Sequence, residues 1–210
     1  MCGITGYFET VPRSAGGELE ATVMAMAATL HHRGPDDSGV WTDPRAGIAL
    51  AHRRLSILDL SPLGHQPMPS PCGRYMVTFN GEIYNFRALR QELDARGYQF
   101  RSQSDTEVLV ACVTEFGILS AVRRLNGMFA FALWDRRERQ LYLVRDRLGE
   151  KPLYYGYLNS TVVFGSELKA LRAHPAFDCS LNRDALALYL RHSYIPAPYS
   201  IYEGISKVLP

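Results

Sequence analysis

Cys2 follows the initiator methionine in the opening run MCGITGYF. A thiol is mostly protonated at neutral pH, so its attack on an amide needs a base or a lowered pKa. Removal of Met1 would supply that base within the same residue. A free α-amine has a pKa of about 7.7–8.0 and is substantially neutral at cellular pH, so it can take the thiol proton directly or through a water. The plainer role for Cys2 is a small residue opening an edge strand. No Cys–His pairing is visible along the chain, although folding could bring His52 or His65 close. Acyl transfer also needs donors for an oxyanion, and FNGEIYNF (79–86) offers the Asn80 side-chain amide with the Gly81 backbone N–H. The same Asn-Gly pair is a common turn. Arg53 and Arg54 in AHRRLSI fall on opposite faces of a strand, so only one can face a cleft. There it would grip a carboxylate bidentately. Glu82 and Asp105 could hold an ammonium, or act as ordinary surface charge and as first-turn helix charge.

Those residues need elements to position them. GITGYFE (3–9) reads as an opening strand, and Leu19, Val23, Met26 and Leu30 give residues 17–32 one apolar helical stripe. HRGPDDSG (32–39) is a loop by its Gly, Pro and Asp content. Strands are expected at 47–60 and 74–81, around a Pro- and Gly-rich loop at 61–73. Residues 85–96 make a helix through Phe86, Leu89 and Leu93; 104–116 makes another, with Ser104 and Glu107 at capping-box spacing. GMFAFALWD (127–135) is apolar at nearly every position, which predicts a strand buried on both faces, and QLYLVRD (140–146) should pair with it. Strands at 152–158 and 161–166 and helices at 166–175 and 182–192 follow. Runs of strands with helices grouped between them point to an antiparallel α+β fold. A strand buried on both faces calls for one sheet stacked on another, with helices outside.

The composition narrows the function classes. A formal net charge of +2 over 210 residues leaves no electrostatic footprint for nucleic acid or an anionic membrane. No run approaches the ~18 apolar residues of a spanning helix, and no signal-peptide pattern opens the chain, so cytoplasm is the expected compartment. The cysteines at 2, 72, 112 and 179 form no CxxC pair and should stay reduced; neither they nor the six histidines suggest a metal site.

Seven segments carry a family resemblance: MCGITGYF, HHRGPDDSGVW, AHRRLSILDLSPLGHQPM, FNGEIYNFRALRQEL, SDTEVLVA, LNGMFAFALWD and RDRLGEKPLYYG, in that order. Together they resemble the glutaminase domain of glutamine-dependent asparagine synthetases, which are class II glutamine amidotransferases of the N-terminal-nucleophile hydrolase superfamily. The resemblance implies a four-layer αββα sandwich. It implies that Cys2, exposed by loss of Met1, attacks the carboxamide of L-glutamine while Asn80 and Gly81 stabilise the oxyanion. It selects Arg54 over Arg53 for the substrate carboxylate, adds backbone groups of Leu55, Ser56, Ile57 and Leu58 to the pocket, and gives Glu82 and Asp105 to the α-amine. The amidotransferase domain would span 1–192, with 193–210 a connector toward an ATP-dependent synthetase domain. Neither the SGGxDS-type loop of that domain nor a GxxxxGK[ST] loop occurs here. The implication is therefore a chain that needs no cofactor of its own, ATP and Mg2+ belonging to the synthetase domain that accepts its ammonia. A glutamine-sensing module with little turnover is the other reading, and homodimer formation stays open.

Overall fold

The computed structural model describes residues 1–57 and 59–210. Its strands are β1 (Gly3–Glu9), β2 (Asp37–Asp43), β3 (Ile48–Arg54), β4 (Met68–Pro69), β5 (Tyr75–Ile83), β6 (Gly127–Asp135), β7 (Gln140–Arg145), β8 (Tyr154–Leu158), β9 (Thr161–Gly165) and β10 (Ile205–Lys207). The helices are α1 (Gly16–Ala28), α2 (Phe86–Asp94), α3 (Asp105–Phe116), α4 (Ile118–Arg124), α5 (Leu168–Arg172) and α6 (Arg183–His192). One sheet has the order β10-β8-β9-β1-β3-β2 and the other β4-β5-β6-β7. Every pairing is antiparallel.

The period-two alternation of strands sorts the side chains into three apolar layers. On β6, Phe129, Phe131 and Leu133 meet Leu89, Leu93, Val108 and Leu109 of α2 and α3. The alternate residues Ala130, Ala132 and Trp134 face Ile4, Ile48 and Leu50 of the six-stranded sheet. The outer face of that sheet, through Tyr7, Ala49 and Ala51, packs on Leu19, Val23 and Met26 of α1 and on α5. Helices, sheet, sheet and helices therefore stack as an αββα sandwich, and the doubly apolar pattern of 127–135 is what its central strand requires.

Several elements differ from the sequence expectation. The strand expected over 47–60 ends at Arg54, because the Leu55 N–H turns to the Cys2 sulfur and the Ser56 N–H to Asp36 instead of a ladder. Part of the loop expected at 32–39 is strand β2, which pairs along β3 from Asp37↔Arg54 to Asp43↔Ile48; that partner outweighs the low strand propensity of Asp37, Ser38 and Gly39. Helix α4 was not expected. It follows directly on Gly117, whose φ of 74° ends α3 and redirects the chain. The capping box is half made: Ser104 accepts from the Thr106 N–H, but Glu107 accepts from the N–H groups of Arg101 and Ser102. Within 193–210, β10 pairs with β8, and the Val208 N–H donates to the Leu153 carbonyl. No helix among the described residues is long and apolar enough to cross a membrane.

Candidate active site

Strand alternation decides which side chains reach the gap between the sheets. Ile4 of β1, Ile48 and Leu50 of β3, and Met76 of β5 all lie in the inter-sheet layer. Continuing each strand in steps of two places Cys2, Arg54, Asn80 and Glu82 on that same inner side, at one end of the sandwich. There they line a common cleft with Asp105, from the first turn of α3. Arg53 faces the other way and donates to the Ala27 carbonyl of α1 at 3.2 Å.

The cleft is built along an edge of β5. Strand β4 covers that edge only opposite Met76 and Val77. Beyond it, the Phe79 N–H goes to the Gln66 side-chain carbonyl (2.6 Å) and the Ile83 N–H to Asp105 Oδ2 (2.9 Å). Successive N–H groups of a strand alternate sides, so the Gly81 N–H points to this same open edge, between the two. Beside it, the Asn80 amide nitrogen is buried and has no hydrogen-bond partner among the described residues. A buried unpaired donor costs about 1–3 kcal/mol, a cost removed when an acceptor enters the cleft. Gly81 cannot carry a side chain: a Cβ would run into the Met128 carbonyl and the Phe129 backbone of β6.

Cys2 is held at both ends. Its sulfur accepts from the Leu55 N–H at 3.3 Å and lies 3.6 Å from the Leu55 carbonyl. Its own carbonyl accepts from Arg33 Nε at 2.9 Å, and Arg33 is braced by Glu167 at 2.8 Å. Burial pushes the Cys2 thiol pKa up, against the lowering effect of the Leu55 N–H, the chain-terminal ammonium and Arg54. The resting thiol is therefore neutral and needs a base at the moment of attack. Neither His52 nor His65 supplies one. His52 is buried against the Phe79 carbonyl, and His65 pairs with Asp37 at 2.8 Å.

Arg54 is buried, and its guanidinium is aimed by the carbonyls of Asp59 and Ser61. Leu55 and Ile57 line the Cys2 cleft. Ser56 lies in an adjoining depression with Asp36, Asp37 and His65, and Leu58 lies outside the described residues. Burial raises the Asp105 pKa to about 6, and the nearby Glu82 charge adds to the rise. Among the described residues neither Glu82 nor Asp105 makes an ion pair, which leaves both free for a bound ammonium. The sign of the linkage follows: the native state holds a proton on Asp105 that the unfolded chain, near 3.8, has lost. Stability falls as pH rises from about 4 to 6, and the penalty, about 2–3 kcal/mol, is complete above 6. Asp105→Asn should therefore raise the neutral-pH melting temperature while raising KM for an α-amino substrate. A melting curve and a substrate titration check both, and a lowered melting temperature contradicts the strain.

Arg33, Gln66 and Lys151 also belong to the site, and sequence reasoning missed them. Arg33 sits in a segment read as loop, and nothing in the spacing connects it with Cys2. Lys151 is buried at the cleft, positioned by Asp146, which accepts N–H groups of Leu148, Glu150 and Lys151. Its ammonium lies 3.1 Å from the Met1 sulfur.

Comparison with known proteins gives the family of the chain. The chain is 39% identical over 210 residues to asparagine synthetase [glutamine-hydrolyzing] 1 of Bacillus subtilis, covering all of this chain and 32% of that one. It is 40% identical to synthetase 3 of the same organism, again over its full length and 34% of the relative. It thus spans about a third of the curated relatives it matches. Among solved structures, the glutamine phosphoribosylpyrophosphate amidotransferase of B. subtilis superposes with a TM-score of 0.68 at 21% identity, over 82% of this chain and 43% of the other. That likeness concerns the fold, the αββα sandwich described above. The family model described as a glutamine amidotransferase domain matches residues 1–210, and the chain belongs to that family.

Proposed function

We propose that this domain hydrolyses L-glutamine to glutamate and ammonia through a Cys2 thioester, once Met1 has been removed. The observation that carries this reading is the unpaired Asn80 amide buried beside the Gly81 N–H, on an open strand edge that shares a cleft with Cys2. Arg54 receives the α-carboxylate, and Glu82 and Asp105 receive the α-ammonium, which leaves the carboxamide directed at Cys2.

The Cys2 sulfur attacks the carboxamide carbon while its proton passes to the Cys2 α-amine. The carbonyl oxygen becomes an oxyanion held by the Asn80 amide and the Gly81 N–H. Collapse breaks the C–N bond, and the α-ammonium returns its proton to the departing nitrogen, which leaves as ammonia. A water then gives a proton to the amine and attacks the thioester carbon. The second oxyanion collapses, the C–S bond breaks, and glutamate leaves as the thiol is reprotonated. In a longer chain, the ammonia would serve an ATP-dependent amidation of aspartate or a related carboxylate by a synthetase domain. The reading is supported by the roughly one-third share of its synthetase relatives that this chain covers.

Glutamate release by the parent and by Asn80→Ala tests the oxyanion assignment. Loss of one such donor should lower kcat by about 10²–10³-fold, with KM for glutamine little changed because Arg54, Glu82 and Asp105 remain. An Asn80→Ala protein that keeps the parent kcat overturns it.

A further inference from the structure

The open edge that exposes the Gly81 N–H also leaves the Phe79 peptide without a neighbouring strand. In the register of β4 the residue facing Phe79 would be Gln66, but the strand ends at Met68 and Gln66 meets Phe79 through its side chain instead of its backbone. Both edge groups of Phe79 are nevertheless satisfied, and by side chains. Gln66 Oε1 accepts its N–H at 2.6 Å, and His52 Nε2 lies 3.0 Å from its carbonyl. That carbonyl belongs to the peptide bond leading into Asn80.

The two side chains reach Phe79 from elements that carry the rest of the site. His52 is on β3, two residues before Arg54 and on the same face. Gln66 Nε2 donates to Thr106 Oγ1 at 3.3 Å, next to Asp105 at the start of α3. A third tie, Thr78 Oγ1 to the Ala51 carbonyl at 3.2 Å, joins β5 to β3 one residue away. Apolar packing between the sheets is non-directional, so it leaves the alignment of β3 against β5 loosely set. Buried, directional hydrogen bonds fix it.

We propose that His52, with Gln66, is a positioning residue for the oxyanion site, replacing a missing strand at Phe79 so that Asn80 is held in register with Arg54 and Asp105. The proposal rests on the glutaminase reading for its kinetic consequence and on geometry alone for its structural one. Burial supports the donor role. The His52 pKa is pushed down to about 4, so at neutral pH the ring carries one proton. With Nε2–H donating, Nδ1 is the buried atom that lacks a partner.

The test compares His52→Phe, which removes the donor, with His52→Gln, whose amide nitrogen can occupy the Nε2 position. His52→Phe should lower kcat by about 10–100-fold, the scale of a small misplacement of a reacting group, with KM for glutamine near the parent value. His52→Gln should recover most of the loss. In an Asn80→Ala background, His52→Phe should cost little more, because it acts through Asn80. A full additional loss in that background, an effect on KM alone, or no effect on kcat overturns the proposal. Backbone amide exchange gives a readout independent of activity. Exchange at Phe79 and Asn80 should quicken in His52→Phe while Val77 keeps its protection. Unchanged exchange at these two amides, or a uniform rise along β5, also overturns it. A parent protein that does not turn over glutamine refutes the glutaminase reading and leaves the exchange experiment to decide this one.

Discussion

Cys2→Ala leaves a folded chain that releases glutamate from glutamine at the background rate. Only the side chain beyond Cβ is lost, at a half-buried position just before β1, while the strand and its pairing with β3 and β9 begin at Gly3 and Thr5. The melting temperature should therefore stay near the parent's. Catalysis should not survive, because no other thiol is near the cleft: Cys112 is buried in the layer between helices and sheet, and Cys72 and Cys179 are exposed elsewhere. Burial also raises the Cys112 thiol to about 12, which makes it inert as a nucleophile. Loss of a lone nucleophile in a covalent hydrolase costs on the order of 10⁶-fold in kcat. Measurable turnover by Cys2→Ala would show that water attacks the amide directly, and the thioester route would be wrong.

A chain that retains Met1 should fold and fail for a different reason. The resting Cys2 thiol is held neutral by burial, so the base must come from the chain itself. Among the described residues no histidine lines the cleft, and a peptide-bonded Cys2 nitrogen cannot accept a proton. General-base assistance is worth about 10²–10⁴-fold, and that is the expected loss. Met1 adds an obstruction, since its side chain lines the cleft beside Lys151. Intact mass gives the processed fraction of each preparation, and specific activity should scale with it. Equal activity from unprocessed chains would take the α-amine out of the mechanism.

Much of this arrangement was legible in the residues, for identifiable reasons. Strand β6 announced both its faces because nine successive positions are almost all apolar. The stripe Leu19, Val23, Met26 and Leu30 is fully buried, since helical periodicity and burial are one constraint seen twice. Alternation narrowed the two arginines to one inward and one outward, the family resemblance selected Arg54, and the register of β3 against β1 turns Arg54 inward. What stayed hidden depended on contacts between distant segments. The grip of Arg33 on the Cys2 carbonyl joins residues 31 positions apart, and the His52 contact with Phe79 crosses between sheets. The start of strand β2 was hidden for a related reason, because Asp37, Ser38 and Gly39 have little strand preference of their own and the partner strand decides. The Asn80–Gly81 pair shows the opposite case. Its turn-like composition suggested a reversal, yet it lies inside an extended strand, where the missing side chain of Gly81 admits the neighbouring backbone of β6.

The central claim is that the sulfur of a processed Cys2 carries the acyl group. Mixing the protein with glutamine, quenching in acid and mapping the modified peptide by mass spectrometry tests it most directly. The predicted result is one γ-glutamyl group in thioester linkage on Cys2, in a peptide that begins at Cys2. A γ-glutamyl group on any other residue, or on chains that still begin at Met1, would contradict it.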